Sequence, residues 1–258
     1  MRRGRSGRSL AALAAAWALT LAAVDVASAS VSSPWIPTYD GATSTRSLRT
    51  AYLTRDDGDS FTVTKDGPVL TAAAPPTNAG GNTREVVWPS RSLRSRDAQT
   101  CATWLGETND FVQEGLALRI RHHDGVTTAI TLTKNIYYGA HWVFNVHGWD
   151  SSSPSPFTQL GQWDLSPVIL DGDGQYQPMP WRVCFRAVGS TVGMKIWWPA
   201  QMSEPSWSDP AYTRTMVIPS EYTRRGRAGW YVGHLQPGMS TTYDGLGTWF
   251  ALILRLGG

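Results

Sequence analysis

Signatures of known chemistry are scarce in this sequence. Two cysteines and five histidines occur in 258 residues. There is no Cys-x-x-Cys, no His-Glu-x-x-His, no Gly-x-Ser-x-Gly and no phosphate-binding glycine loop. Thiol redox, zincin, serine hydrolase and nucleotide chemistry therefore lose their usual sequence support. Long apolar runs are missing except at one place, Leu10–Val24. That run follows Arg2, Arg3, Arg5 and Arg8 and ends near Ala27-Ser28-Ala29, the layout of a secretory signal peptide over residues 1–29. Its 15 residues fall short of the roughly 20 that span a bilayer, and no second candidate follows. The mature chain is thus expected to be exported, to the extracellular space or the cell envelope, with no transmembrane segment. Charge of one sign is also missing. The leader takes four Arg and one Asp, leaving 23 − 4 = 19 basic and 20 − 1 = 19 acidic residues. A neutral mature chain lacks the footprint of a nucleic-acid binder.

What is present is strand chemistry. Runs rich in Val, Ile, Trp, Tyr and Phe, cut by Gly and Pro, recur along the chain: Phe61–Thr64, Val69–Ala73, Glu85–Trp88, Gly115–Arg121, Thr128–Lys134, Trp181–Val188, Val192–Trp198, Gly229–Leu235 and Thr248–Leu254. Asp66-Gly67, His122–Gly125 and Gly189-Ser190-Thr191 read as turns between neighbours. Ten or more short strands and no convincing amphipathic helix predict an all-β, two-sheet antiparallel sandwich as a single domain. Its expected limits are 51–258, with 30–50 a linker or poorly ordered lead-in and Ser90–Thr100 an exposed loop. In an exported chain, Cys101 and Cys184 are expected to pair. The long loop so closed is worth roughly 4–5 kcal/mol on the chain-entropy model.

Several of these segments together resemble the concanavalin A-like lectin/glucanase superfamily in its LamG-like form. The carriers are the hairpin Trp181–Trp197, the loop Glu204-Pro205-Ser206-Trp207, the strand Gly226–Gly233 and the last run Thr248–Leu254. The resemblance implies a curved jelly roll whose concave face binds glycans, often with calcium. Glycoside hydrolases of that superfamily carry Glu-x-Asp-x-x-Glu, which places two catalytic acids on one strand face. This sequence has no such triplet: Glu114 is followed by Gly-Leu-Ala-Leu.

Alternation within the strands points to a binding face. With Leu116, Leu118, Phe144 and Phe185 inward, the opposite positions are Arg119, Arg121, Asn145, His147, Arg186, Lys195 and Trp197. Trp stacks on the apolar side of a pyranose, and the cations favour an acidic sugar. The plainer reading is an ordinary solvated sheet face. Were the seven a binding site, Trp197 and Arg119 would be needed for ligand and dispensable for stability. Trp142, Trp181 and Trp230 are expected in the core, with Trp198 and Trp207 as candidate exposed stacking residues. Asp171 and Asp173 have calcium-loop spacing, but no late Glu completes the ligand set, and a plain turn is favoured. The expected function is a non-catalytic glycan-binding or cell-surface interaction protein. The runner-up is a polysaccharide-cleaving enzyme, for example a lyase using His147, Tyr231, Arg119 and Arg121. A structural envelope protein without ligand is the third reading.

Overall fold

The computed structural model describes residues 35–107, 112–135 and 143–251. The predicted leader, His141 and Trp142 lie outside that set. Within it, two antiparallel sheets pack face to face as a sandwich. The first sheet contains β3 (Thr62–Asp66), β4 (Val69–Ala73), β6 (Ala98–Glu107), β11 (Trp181–Val188), β12 (Thr191–Trp197), β13 (Thr213–Val217) and β15 (Ser240–Ala251). Their order is β13-β12-β11-β6-β15-β4-β3, and β1 (Trp35–Asp40) also pairs with β15. The second sheet runs β10 (Phe157–Asp164), β9 (Val143–Asp150), β8 (Val126–Lys134), β7 (Gln113–His123), β14 (Arg227–Gly233), β5 (Arg84–Pro89) and β2 (Leu48–Thr54). One short helix, α1 (Ser166–Ile169), and a 3-10 turn, Ser220–Tyr222, complete it.

The hairpins follow from turn chemistry. Asp124 and Gly125 close β7–β8 with φ of 49° and 76°, both in the left-handed region that a type I′ turn requires. Gly189 closes β11–β12 with φ 56°. Between the sheets, Val183, Phe185, Met194 and Ile196 meet Leu116, Leu118, Leu132, Phe144 and Val146. Each such side chain contributes about 1.5–3 kcal/mol on burial. Trp104 stacks on Phe144 across the sandwich with centroids 5.8 Å apart.

Polar clamps sit at both ends of this core. Toward the start of β7, the fully buried Lys134 Nζ lies 2.8 Å from Glu114 Oε2, and Thr241 Oγ1 donates to Glu114 Oε1 at 2.8 Å. Toward its other end a β-bulge between Leu118 and Arg121 leaves Arg119 at φ 56°. Gly226 passes so close that a Cβ there would lie 2.2 Å from the Arg119 carbonyl carbon, which accounts for glycine at that position.

Two expectations change. Residues 30–50 were to be a lead-in, but Trp35–Asp40 is a strand paired with β15, and Leu48 already belongs to β2. Ser90–Thr100 is not wholly an exposed loop: β6 begins at Ala98, and Ala98 and Thr100 are buried.

Candidate functional site

The seven candidate residues do not share one surface. Alternation is obeyed along each strand, but the strands belong to different sheets. Arg186, Lys195 and Trp197 project from the outer face of the first sheet. Asn145 and His147 project from the outer face of the second, with the core between. Arg119 and Arg121 sit at the bulge, where the alternation is reset.

The outer face of the first sheet is occupied by the protein itself. The chain turns back after Trp198 and lays Glu204–Trp207 over β11 and β12. Lys195, 2% exposed, donates to Glu204 Oε1 at 2.6 Å and to Pro205 O at 2.9 Å. The Arg186 guanidinium lies over the Trp207 ring at 3.9 Å and faces Trp35 at 5.8 Å. Trp197 is buried, packed with the Cys101–Cys184 disulfide that joins opposed residues of β6 and β11. Arg182 donates to Thr103 Oγ1 and to the Gly245 carbonyl. Trp198, a candidate stacking residue, is turned into the core, and Trp207 serves as the lid.

Arg119 is a clamp as well. Its guanidinium donates to the carbonyls of Arg96, Tyr222 and Gly189, which ties β7 to the first sheet. Burial lowers its pKa to about 10, opposed by the nearby Asp97 carboxylate. Arg119→Ala leaves several buried carbonyls without a donor, at a cost of about 3 kcal/mol. Trp197 and Arg119 are therefore structural, contrary to the expectation that they are dispensable for stability.

The outer face of the second sheet has a different character. Thr133 opposes Asn145, and Thr131 opposes His147, on adjacent rungs of β8 and β9. Thr133 Oγ1, Asn145 Oδ1 and His147 Nδ1 are buried and make no hydrogen bond among the described residues. Other such atoms lie singly, at Tyr39, Trp104 and Trp198 in the main core and at Glu85 and Ser92 outside it. Next to the trio runs a line of rings. His147 and Trp149 each lie 5.3 Å from Phe157, and Trp149 lies 6.4 Å from Tyr231. Phe157 is 47% exposed and presents its ring to solvent. Gly115 lets the Tyr231 ring lie across β7, since a Cβ there would sit 2.7 Å from the ring and 2.5 Å from Leu132 O.

Arg84 organises the far side of this face. It stands 5.7 Å from the Trp149 ring centre, and its Nη2 lies 2.8 Å from His234 Nε2. A guanidinium cannot accept a hydrogen bond, so His234 Nε2 is the acceptor and carries no proton. Burial, and then the Arg84 charge, lowers the pKa of both His147 and His234 to about 4. Both imidazoles are neutral at neutral pH. Burial raises the Tyr231 pKa, and its hydroxyl donates to Gln113 Oε1 at 2.6 Å. The outward positions of β7 to β9 described above carry no carboxylate, and Glu114 points the other way, to Lys134.

The sequence reading found Asn145 and His147 but missed Arg84, Thr133 and Phe157. Arg84 precedes a run read from Glu85, and β10 had no clear alternation because a bulge interrupts it between Gln159 and Gly161. At the other turn under consideration, Asp171 Oδ1 accepts from the backbone N–H groups of Asp173 and Gln175, as in a plain turn. Among the described residues, no group of three or more His, Cys, Asp or Glu is placed to hold a metal ion.

No protein-family model matches the sequence, and no curated protein does. Solved structures match in fold. The CBM2 module of the evolved Dit of Lactobacillus casei BL23 phage J-1 aligns over 86% of this chain and 98% of its own, at TM-score 0.51 and 11% identity. A β-1,3-1,4-glucanase (lichenase) derived from a mouse hindgut metagenome aligns over 84% and 99%, at TM-score 0.48 and 7% identity. The carbohydrate-binding module CBM66 from Bacillus subtilis aligns over 77% and 94%, at TM-score 0.45 and 8% identity. At these identities the likeness is one of fold. The architecture is a two-sheet antiparallel sandwich that shares its fold with the phage module.

Proposed function

We propose that this protein is exported and binds a glycan, without cleaving it, on the outer face of the second sheet. One observation carries the reading: Thr133 Oγ1, Asn145 Oδ1 and His147 Nδ1 stand together without partners beside an exposed aromatic ring. A buried polar group left unsatisfied costs about 1–3 kcal/mol, so three on adjacent rungs are a standing cost, which a hydroxyl-rich ligand relieves once the side chains over these buried atoms move aside. The Phe157 ring supplies the apolar plate that a sugar ring stacks on, and the neutral His147 imidazole exchanges a hydrogen bond with a hydroxyl. Export rests on the leader at 1–29, and a disulfide suits an oxidising compartment. The fold by itself does not decide the function.

A second reading has its own observation. Arg84, His147, Tyr231 and His234 converge on this same face, and such a set can hold a uronate carboxylate and move the proton beside it. Arg84 would then take the part assigned from sequence to Arg119 and Arg121. A glycan array on the full chain, followed by reducing-end and ultraviolet assays on the hits, separates the readings. Binding that drops at least tenfold in Phe157→Ala and Asn145→Ala, with no new ends and no unsaturated product, is expected. Accumulation of unsaturated product would make the protein a lyase. A blank array across neutral and acidic polysaccharides would defeat both.

A further inference from the structure

Some arginines of this chain are engaged by the fold. Arg84 donates to Asn82, Arg119 and Arg182 donate to carbonyls, Arg214 donates to Pro210 O, and Arg186 lies on Trp207. Several others form no side-chain hydrogen bond or ion pair among the described residues, and five of these, Arg49, Arg94, Arg121, Arg224 and Arg227, gather at one end of the sandwich. A cleft of about 280 Å³ there is lined by Arg94, Arg121, Arg224, His122, His123 and Thr128. Arg227 stands close by. Its pKa is lowered by burial and then by the positive charges of Arg94 and Arg49, so the cations act on one another. The acids are few. Asp124 is taken by His123 at 2.8 Å, and Asp150 and Glu221 line an adjoining cleft of about 280 Å³ that shares Arg121 and Arg224.

This end is continuous with the aromatic face. Trp149 lines the adjoining cleft, and the His122 ring lies 6.1 Å from Trp88, which belongs to the same outer cluster as Trp149 and Tyr231. Asn145 and Asp150 are five steps apart along β9, a path of about 17 Å. An extended chain that meets Asn145 and His147 can therefore reach the arginines.

We infer that the arginine cleft is a second subsite, which takes the acidic groups, carboxylate or sulfate, of the glycan held on the second sheet. The inference rests on the glycan reading and adds the charge of the ligand. Guanidinium groups match both anions with paired hydrogen bonds, and an anion removes the mutual repulsion of the cluster. Each cleft alone is close to the lower end of the range for a small-molecule pocket, about 300–1,000 Å³, and so suits single sugar units. A flat bilayer or a duplex cannot enter them, and a whole-chain formal charge of +3 gives either one little general attraction.

The test is affinity electrophoresis of the full chain in gels holding polygalacturonate, dextran sulfate or unmodified dextran and laminarin. We expect at least one acidic polymer to bind tenfold or more tightly than the neutral ones, with the advantage shrinking as salt rises. Arg121→Gln with Arg224→Gln should remove that advantage, and so should Arg94→Gln with Arg227→Gln, while melting temperature and binding to neutral polymer stay unchanged. Carboxylated against sulfated polymer then identifies the anion. Equal binding of neutral and acidic polymers, or a preference surviving in both double variants, overturns the inference and leaves the glycan reading standing. Binding to no polymer removes the glycan reading itself and this inference with it. Tighter binding to single-stranded DNA or anionic vesicles than to polygalacturonate gives the cleft to another class of partner, and also overturns the inference.

Discussion

The two outer faces of this sandwich start from similar ingredients and end differently. Both carry cations and aromatic rings at outward strand positions. On the first sheet the chain returns over its own strands. Lys195 is met by Glu204 and Pro205, Arg186 by Trp207, and Trp197 by the disulfide. On the second sheet Thr133, Asn145 and His147 keep unpartnered atoms beside an exposed phenylalanine. An outward-pointing residue is thus no evidence of an available one. What separates a binding face from a second, smaller core is whether the polar atoms have already found partners within the chain.

The sharpest way to break this contrast is to open the sealed face. Replacing Cys101 and Cys184 with Ala releases a cross-link of sequence separation 83, which on the chain-entropy model is worth about 4 kcal/mol. Urea titration should register that loss, and glycan affinity should not change. Trp207→Ala comes next. The ring is half-buried and covers Lys195 and Arg186, so about 2 kcal/mol is expected, again without effect on binding. A fall in affinity that follows either loss of stability would mean the two faces are coupled and the contrast is false.

Much of this was legible from sequence, with a specific limit. Turn residues and apolar, β-branched runs located β4 and β11 to the residue and the cores of β5, β7, β8 and β12 closely. β1 and β2 were not found. Trp35–Asp40 holds Pro37 and pairs through a bulge, and it is ordered by β15, some 200 residues away in the chain. Side-chain alternation correctly put Asn145, His147, Lys195 and Trp197 opposite the core, yet a period of two fixes only the face of a strand's own sheet. Which sheet a strand joins is set by long-range pairing, such as β11 on β6 and β9 on β8. Arg119 was misplaced for a local reason: the bulge turned it toward the carbonyls of Arg96, Gly189 and Tyr222, which lie in loops and turns. The sealing of the first face was beyond reach, because nothing in Glu-Pro-Ser-Trp says where that loop lands.

The faces should also differ in their response to pH. His147 and His234 lie at about 4 when folded against 6.5 for an unburied imidazole. Between those values the unfolded chain binds two protons that the folded one does not, so stability falls as pH drops from 6.5 toward 4 and levels off below. Glu85 works the other way. Burial raises it to about 7 from 4.5, so the folded state holds a proton that the unfolded state has lost, and stability falls as pH rises from 4.5 through 7. Where the windows overlap, the unfolded chain binds two protons more and one fewer, a net excess of one, and stability rises with pH by that slope. His147→Gln should flatten the slope to near zero, and Glu85→Gln should steepen it to about two. Lys195→Met, on the sealed face, should leave it as it is. Urea titrations at three pH values across the window measure all three, and an unchanged slope in His147→Gln would remove the buried neutral imidazole from the account.

The smallest stability change is expected at the position that matters most for binding. Asn145→Ala deletes an oxygen that has no partner in the free protein, so no protein hydrogen bond to that atom is lost and one unsatisfied group disappears. Its melting temperature should stay level or rise slightly. Its glycan affinity should fall about tenfold, equivalent to about 1.4 kcal/mol. Thr131→Ala, one rung away, is the control, because Thr131 Oγ1 already accepts from Trp149 Nε1 at 2.8 Å. That variant should lose stability by about 1 kcal/mol and bind almost normally. Should the two variants exchange roles, the unpartnered atoms would be incidental to binding, and the second face would be another sealed surface.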